Sequence, residues 1–209
     1  MPMKRYLLVA LLLLAAIPAA SQGQSLRKTE RHFKEYLYTL AGEDFAGRAA
    51  HSRGDTLAMR YLRDFLQRQR GVKLLFGEGI QPFSSGSWHG PVSSFNVAGW
   101  IEGNDPVLKN EIIVIGAHYD HMGLQENDRT GEPEILYGAD DNASGTTMVM
   151  GLARHLSRHR RQLRRSVLIV FFGAEERGLV GSQYFVDHLP VEKDRIVCML
   201  NFDMVGRLT

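Results

Sequence analysis

The sequence predicts an α/β protein with three layers, in which helices flank a central, mostly parallel (mixed) β-sheet. Two observations in the second half of the chain support this fold class. Apolar segments of strand length alternate there with amphipathic segments of helical length, as expected for βαβ units. The apolar segments are continuous and do not alternate with polar residues, which is typical of strands covered on both faces.

The composition fits one ordinary domain. Its 209 residues suit a single core, and 44% hydrophobic with 23% charged residues is usual for a globular protein. The formal net charge of +2 is matched by two basic residues near the N-terminus, so the rest is close to neutral. We therefore expect no nucleic-acid partner. The single cysteine, Cys198, excludes an internal disulfide, and its apolar surroundings predict a buried, inert thiol.

Residues 1–21 have the three-part pattern of a secretory signal peptide. Lys4 and Arg5 give a positive start, residues 6–17 are mostly apolar, and small residues follow up to Ser21. The apolar run is shorter than the roughly 20 residues of a membrane span, so cleavage is favoured over anchoring. We expect residues 22–209 to form the mature domain, exported to the periplasm or the extracellular space without stable membrane insertion.

Two amphipathic helices are predicted in the first half of the chain. Apolar residues recur at helical spacing within residues 26–40, and again from Ala58 to Leu66. A loop is predicted between the two helices, and Asp55 is a candidate N-cap of the second.

A strand is predicted over residues 95–101. Residues 77–91, which precede it, are rich in Gly, Ser and Pro and predict a loop, with a short strand as the alternative. Further strands and helices then alternate. The predicted strands are EIIVIGAH, SVLIVFFGA and RIVCMLNFD, and the predicted helices between them are NASGTTMVMGLARHLSRH and LVGSQYFVDHL.

Residues with metal-ligand chemistry lie at the ends of these apolar runs, in four blocks. The blocks are GAHYDHMG, YGADDNASG, FFGAEERGLVGS and LNFDMVG, and their candidate residues are His118, Asp120, Asp141, Glu175, Glu176 and Asp203. Each block alone could be a turn or a helix cap. Because ligands of such sheets bind beyond the carboxyl ends of the strands, we expect the four blocks to converge there.

The residue types suit a hydrolytic site with two metal ions. Zinc prefers imidazole and carboxylate ligands, and an aspartate can bridge two ions. A carboxylate that is not a ligand can accept the proton of a water, so the neighbours Glu175 and Glu176 can divide the roles of base and ligand. Asp120, two residues after His118, can accept the other ring N–H of that histidine and fix its tautomer.

In order and spacing, the four blocks resemble the M28 family of zinc peptidases, of the secreted bacterial aminopeptidase type. The resemblance covers roughly Gly99 to Arg207, and the segment LAGEDFAGRAAHSRGDTLAMRYLRDFL is similar to the family's N-terminal stretch, where a Gly-Arg motif precedes a helix. It implies a zinc-peptidase-like fold, two zinc ions, peptide substrates and removal of their N-terminal residues. It also implies a cis peptide bond between Asp141 and Asn142.

The resemblance implies a role for each candidate. The catalytic matches are Glu175, the general base, and Asp120, the carboxylate that orients a ligand histidine. The metal-ligand matches are the bridging Asp141, Glu176 for the first metal, and His118 with Asp203 for the second.

One ligand of the family has no counterpart in the sequence. It is a histidine well downstream of the block that contains Asp203, and the sequence ends six residues after Asp203. His121 lies close to His118 but matches no ligand position. The resemblance therefore predicts a first-metal site without its histidine, in a domain that is incomplete at its C-terminus and lacks its final strands.

Two alternatives to a two-zinc aminopeptidase stay open. The chain could be an inactive or truncated, non-catalytic M28-like domain, although every motif residue of the covered range is present. It could also be a single-zinc enzyme of the glutaminyl-cyclase type, although the GADDNASG block resembles the peptidase form.

Overall fold

The computed structural model describes residues 26–87 and 90–207, so the predicted signal peptide lies outside the described residues. The chain divides into residues 1–35 and 36–209, and the sheet and the candidate site belong to the second unit. Among the described residues, no helix combines the length and apolar character that crossing a membrane requires.

The described residues contain four α-helices, each predicted from the sequence. They are α1 (26–40), α2 (Arg53–Gln67), α3 (Gly145–Arg158) and α4 (Val180–Asp187). The N-cap of α2 is Ser52, whose hydroxyl accepts a hydrogen bond from the N–H of Asp55 at 3.1 Å. The prediction that Asp55 caps this helix was wrong, because its side chain is buried in the interior.

Eight strands in the described residues form two sheets. They are β1 (Lys73–Leu74), β2 (Ile80–Ser87), β3 (Gly90–Ile101), β4 (Ile112–His118), β5 (Gly123–Glu126), β6 (Pro133–Leu136), β7 (Ser166–Phe172) and β8 (Ile196–Asn201). The main sheet has the order β1-β3-β7-β4-β8, with β2 paired to β3, and β5 pairs with β6. Strand β4 is parallel to β7 and β8, whereas β3 is antiparallel to β7. The predicted mixed sheet is confirmed.

Strand β2 corrects the loop predicted over residues 77–91. It forms an antiparallel hairpin with β3 over its whole length. Gln81 and Phe83 are buried, while Pro82 and Ser84 between and after them are exposed. This is the two-residue period of a strand with one covered face, and pairing with β3 overrides the weak strand propensity of Gly, Ser and Pro.

Helices cover both faces of the sheet around β7. One face packs against α2 and α3, through residues such as Leu62 and Met150. The other packs against α4, through Phe185. Successive residues of β7 alternate between the two clusters, with Val167, Ile169 and Phe171 in the first and Leu168, Val170 and Phe172 in the second. Burial on both sides explains the continuous apolar run of this strand.

Strand β8 lies at an edge of the main sheet, and its side chains are largely exposed. Among the described residues it pairs with β4 alone. Cys198 is exposed, so the prediction of a buried thiol was wrong. The apolar sequence of β8 predicts a strand that is covered on both faces. In the structure most of its side chains are exposed, so the sequence alone does not show which faces are covered.

Candidate metal centre

The four sequence blocks converge at one edge of the sheet. His118 ends β4, Glu175 and Glu176 follow β7, and Asp203 follows β8. Asp141 lies in the turn Ala139–Ser144, which leads into α3, and its own backbone angles are not helical. Because β4, β7 and β8 run parallel, their carboxyl ends lie side by side and bring these residues together.

His118 faces two carboxylates. Its Nε2 lies 3.2 Å from Oδ1 of Asp141 and 3.4 Å from Oδ1 of Asp203. The imidazole is 3% exposed, and neither ring nitrogen makes a hydrogen bond to any described residue. A buried imidazole without a hydrogen bond, with carboxylate oxygens in front of it, fits a zinc-type cation held by these three side chains.

The charges around His118 favour a cation at this position. Burial lowers the pKa of the imidazole, but Asp120, Glu175 and Asp203 outweigh burial and raise the pKa to about 9. The pKa of Asp141 is raised, mainly by burial and also by the negative charge of Glu176. Negative charge therefore accumulates here, and a bound divalent ion would neutralise it.

A second group of ligand-type atoms lies on the other side of Asp141. The Nδ1 of His121 is 2.7 Å from Oε1 of Glu176 and 4.0 Å from Oδ2 of Asp141. The hydrogen bond with His121 lowers the pKa of Glu176. One oxygen of Asp141 thus faces His118 and the other faces His121, which is the arrangement that a bridging carboxylate needs. The family resemblance gives His121 no role, and its place three residues after His118 is the sequence signal that points to it.

Asp120 is fully buried and fixes the turn that carries the two glutamates. Its Oδ1 accepts a hydrogen bond from the N–H of Glu175 at 3.0 Å, and its Oδ2 accepts one from the N–H of Glu176 at 3.3 Å. The distance from Asp120 Oδ1 to His118 Nδ1 is 3.7 Å, longer than a hydrogen bond. The orientation of His118 by Asp120 stays a prediction.

Asn142 ties the loop of Asp203 to Asp141. The peptide bond between Asp141 and Asn142 is cis. The buried side chain of Asn142 donates to the carbonyl of Phe202 at 3.0 Å and accepts from the N–H of Met204 at 3.3 Å. The residues on both sides of Asp203 are therefore held by the residue that follows Asp141.

Arg48 is a fully buried cation that links two segments of the site. Burial lowers its pKa to about 10, so it is protonated at neutral pH. Its guanidinium donates to the backbone carbonyls of Leu40, Tyr119, Tyr137 and Gly138. Tyr119 follows His118, and Gly138 lies just before the turn that carries Asp141, so Arg48 connects both ligand-bearing segments.

We expect Arg48→Lys to lower the free energy of unfolding by about 2–4 kcal/mol, because an ammonium cannot reach all of these carbonyls and leaves some buried without a donor. Urea unfolding of the metal-free protein measures the loss. Arg68→Lys is the matched control, since Arg68 is exposed and donates to one carbonyl, that of Asp64. Equal losses in the two variants would contradict the linking role of Arg48.

Asp55 forms a buried polar network with the segment that carries His118. It accepts hydrogen bonds from the hydroxyl of Tyr119 at 2.6 Å and from the hydroxyl of Ser94 at 2.9 Å. It also accepts one from the N–H of His51 at 3.0 Å. Burial outweighs these bonds and raises the pKa of Asp55 to about 6.

We expect the contribution of Asp55 to stability to decline as the pH rises from 4 to 6. The folded protein keeps a proton on Asp55 up to about pH 6, whereas the unfolded chain releases it near pH ~4. The contribution is therefore complete below pH 4 and is lost as the pH rises through 6. The difference between the pKa of Asp55 in the folded and unfolded states corresponds to about 3 kcal/mol in the free energy of unfolding.

Urea unfolding at several pH values, with a chelator present, measures this effect. Asp55→Asn is the comparison, because the amide has nearly the shape of the protonated acid and does not titrate, and its oxygen can still accept the hydrogen bond from the N–H of His51. The wild type should lose stability relative to Asp55→Asn between pH 4 and 6. If the free energies of unfolding of the two proteins changed in parallel with pH, the raised pKa of Asp55 would be contradicted.

Comparison with known proteins identifies the family. A model of peptidase family M28 matches residues 96–209. The chain belongs to peptidase family M28. The matched residues include strands β4, β7 and β8 and both groups of ligand-type atoms.

Curated relatives of the chain carry enzyme names, among them an aminopeptidase. The chain is 31% identical over 212 residues to leupeptin-inactivating enzyme 1 of Streptomyces exfoliatus, covering 95% of this chain and 43% of that protein. It is 32% identical over 115 residues to the probable leucine aminopeptidase 2 of Aspergillus oryzae, covering 54% of this chain and 20% of that protein. This M28 chain thus spans less than half the length of these relatives.

Solved structures share the fold. A Zn-dependent exopeptidase from Parabacteroides distasonis has a TM-score of 0.67 at 20% identity, covering 85% of this chain and 62% of that chain. The glutaminyl cyclase of Bacteroides thetaiotaomicron has a TM-score of 0.66 at 21% identity, with the same coverage of 85% and 62%. The zinc-peptidase-like fold is confirmed. At these identities the likeness does not distinguish the two reactions.

Proposed function

We propose that the protein is a two-zinc aminopeptidase, which removes N-terminal residues from peptides. The observation that carries this proposal is the position of Asp141 between two groups of ligand-type atoms. Its Oδ1 is 3.2 Å from Nε2 of His118, and its Oδ2 is 4.0 Å from Nδ1 of His121. Membership of family M28 and the name of the curated relative probable leucine aminopeptidase 2 support the same reaction.

The described side chains divide between two ion positions. His118 and Asp203 would hold one ion, Glu176 would hold the other, and Asp141 would contact both. Their imidazole and carboxylate groups suit zinc. Bound zinc supplies Lewis-acid chemistry: it polarises a carbonyl and lowers the pKa of a water.

Glu175 is the proposed general base. Its carboxylate belongs to neither group of ligand-type atoms found among the described residues. Burial raises its pKa, which makes it a better proton acceptor. The carboxylate takes a proton from the attacking water as the water oxygen bonds to the scissile carbonyl carbon. It then gives that proton to the leaving amine nitrogen as the C–N bond breaks.

Two substrates test this reaction in the intact, zinc-supplemented protein. Leucine p-nitroanilide should be hydrolysed, whereas its N-acetylated form should not, because an aminopeptidase needs a free N-terminus. A chelator should stop hydrolysis, and zinc should restore it. Cyclisation of an N-terminal glutamine without hydrolysis would support the glutaminyl-cyclase alternative. Zinc binding without either activity would support the non-catalytic alternative.

We also propose that the protein is exported, on the pattern of residues 1–21. Mass spectrometry of the protein recovered from the periplasm or culture medium of its host should show a mature chain that begins at Gln22. A cytoplasmic protein that still begins at Met1 would contradict export.

A further inference from the structure

His121 is the one imidazole beside Glu176 in the described part of the chain, and family matching gives it no role. We propose that His121 is a ligand of the ion held by Asp141 and Glu176. The turn after β4 would then supply an imidazole to each ion, His118 to one and His121 to the other. This inference rests on the two-ion centre of the proposed function.

The distances around His121 fit an ion after a small rotation of its ring. Two ligands of one tetrahedral zinc, each bonded at 2.0–2.1 Å, lie about 3.3 Å apart. The Nδ1 of His121 is 2.7 Å from Oε1 of Glu176 and 4.0 Å from Oδ2 of Asp141. To reach this value, the distance from His121 to Glu176 must lengthen and the distance from His121 to Asp141 must shorten, by similar amounts. A movement of the ring away from Glu176 and toward Asp141 does both.

The backbone holds the His121 ring beside the turn that carries Asp141. A Cβ atom at Gly138 would lie 2.5 Å from Cγ of His121 and 2.3 Å from the carbonyl oxygen of Asp141. Only glycine therefore allows the ring to pack this closely, and Gly138 also has a positive φ of 60°. Arg48 donates to the carbonyl of Gly138 at 2.8 Å and fixes this backbone in place.

There is open space beside the pair for an ion and its remaining ligands. A cavity of about 250 Å³ is lined by His121 and Glu176, together with Asp120, Met122, Gln125, Arg177 and two alanines. The side chain of His121 is 16% exposed and that of Glu176 is 19% exposed. Both side chains line this cavity while remaining largely shielded from solvent.

The competing role for His121 is to orient Glu176 by a hydrogen bond without touching an ion. Two substitutions separate the roles. His121→Asn keeps a donor near the position of Nδ1 but provides a poor zinc ligand. His121→Cys loses the imidazole but provides a thiolate, which binds zinc and cobalt. Loss of an outer hydrogen-bonding partner typically weakens metal binding about 10–100-fold.

Calorimetric titration of the intact protein with zinc, and absorption spectra with cobalt, form the test. Compared with the wild type and the exposed-site control His159→Asn, His121→Asn should weaken binding of one ion by more than about 100-fold, beyond the effect of an outer partner. His121→Cys should regain that ion and show thiolate-to-cobalt charge-transfer absorption. Binding of the other ion should persist in both variants, which also shows that the fold is kept.

The role of His121 as a ligand would be overturned if His121→Asn lost less than about 100-fold in affinity for that ion. It would also be overturned if cobalt-loaded His121→Cys showed no thiolate charge-transfer absorption. In either case two ions in the wild type would leave the proposed function standing. A wild type that binds fewer than two zinc ions would instead refute the two-ion centre, and the inference about His121 with it.

Discussion

Replacing Glu175 by glutamine is expected to slow peptide hydrolysis by about 10²–10⁴-fold while zinc binding persists. Glutamine has nearly the shape of glutamate but cannot take a proton from water at neutral pH. The N–H of Glu175 would keep its hydrogen bond to Asp120, so the turn should not move. The variant therefore removes the proposed base and leaves both groups of ligand-type atoms unchanged.

The kcat for leucine p-nitroanilide and the zinc content of the same sample measure this effect. Glu192→Gln is the matched control, because Glu192 is exposed and belongs to neither group of ligand-type atoms. The control should keep full activity. A Glu175→Gln variant that keeps more than a tenth of the activity, or that loses zinc, would contradict the role of Glu175 as a base.

Replacing Asp141 by asparagine is expected to weaken the binding of both zinc ions. The two oxygens of its carboxylate face separate groups, His118 on one side and His121 on the other. An amide carries no charge and is a poor bridging ligand, so each ion loses a ligand that it shares with the other. Loss of the shared carboxylate should weaken zinc binding far more than loss of a residue that contacts one ion.

Asp140→Asn is the control for this prediction. The neighbouring carboxylate of Asp140 accepts a hydrogen bond from the N–H of Gly206 at 3.0 Å and lies 3.0 Å from Nε of Arg207. It should therefore be dispensable for zinc. After dialysis against buffered zinc, metal analysis should find two ions per chain in Asp140→Asn and fewer than one in Asp141→Asn. Retention of one full ion by Asp141→Asn would contradict a shared ligand.

Buried polar residues connect the segments that carry the ligand-type atoms. Arg48 links the segment after β4 to the turn before α3, through carbonyls of Tyr119 and Gly138. Asp120 links the segment after β4 to the turn of the glutamates. Asn142 links the turn before α3 to the loop after β8. These hydrogen bonds hold the side chains near one another before an ion arrives, as a preorganised site requires.

The sequence predicts the second half of the fold well, because β4 and β7 are continuous apolar strands covered on both faces. It predicts β2 only as an alternative to a loop, because the residues of β2 favour loops and its strand depends on pairing with β3. The hairpin of β5 and β6 was not predicted. Its exposed, charged residues carry little periodic signal, and antiparallel pairing between the two strands stabilises it.

The candidate site is only partly predictable from the sequence. Metal-ligand residues at the ends of apolar runs predict which blocks meet at the sheet edge. The partners of Arg48 and Asn142 are backbone groups of distant segments. Every residue has a backbone carbonyl, so the sequence does not indicate which residues these side chains bind. His121 matches no family position, and its place beside Glu176 is seen only in the structure.

A crystal structure of the zinc-loaded protein, with anomalous diffraction recorded at the zinc edge, tests the central claim most directly. The account predicts two anomalous peaks about 3.5–4 Å apart. One should lie between His118 and Asp203, the other between His121 and Glu176, and both should contact Asp141. A single peak, or two peaks that do not share Asp141, would contradict the two-ion centre.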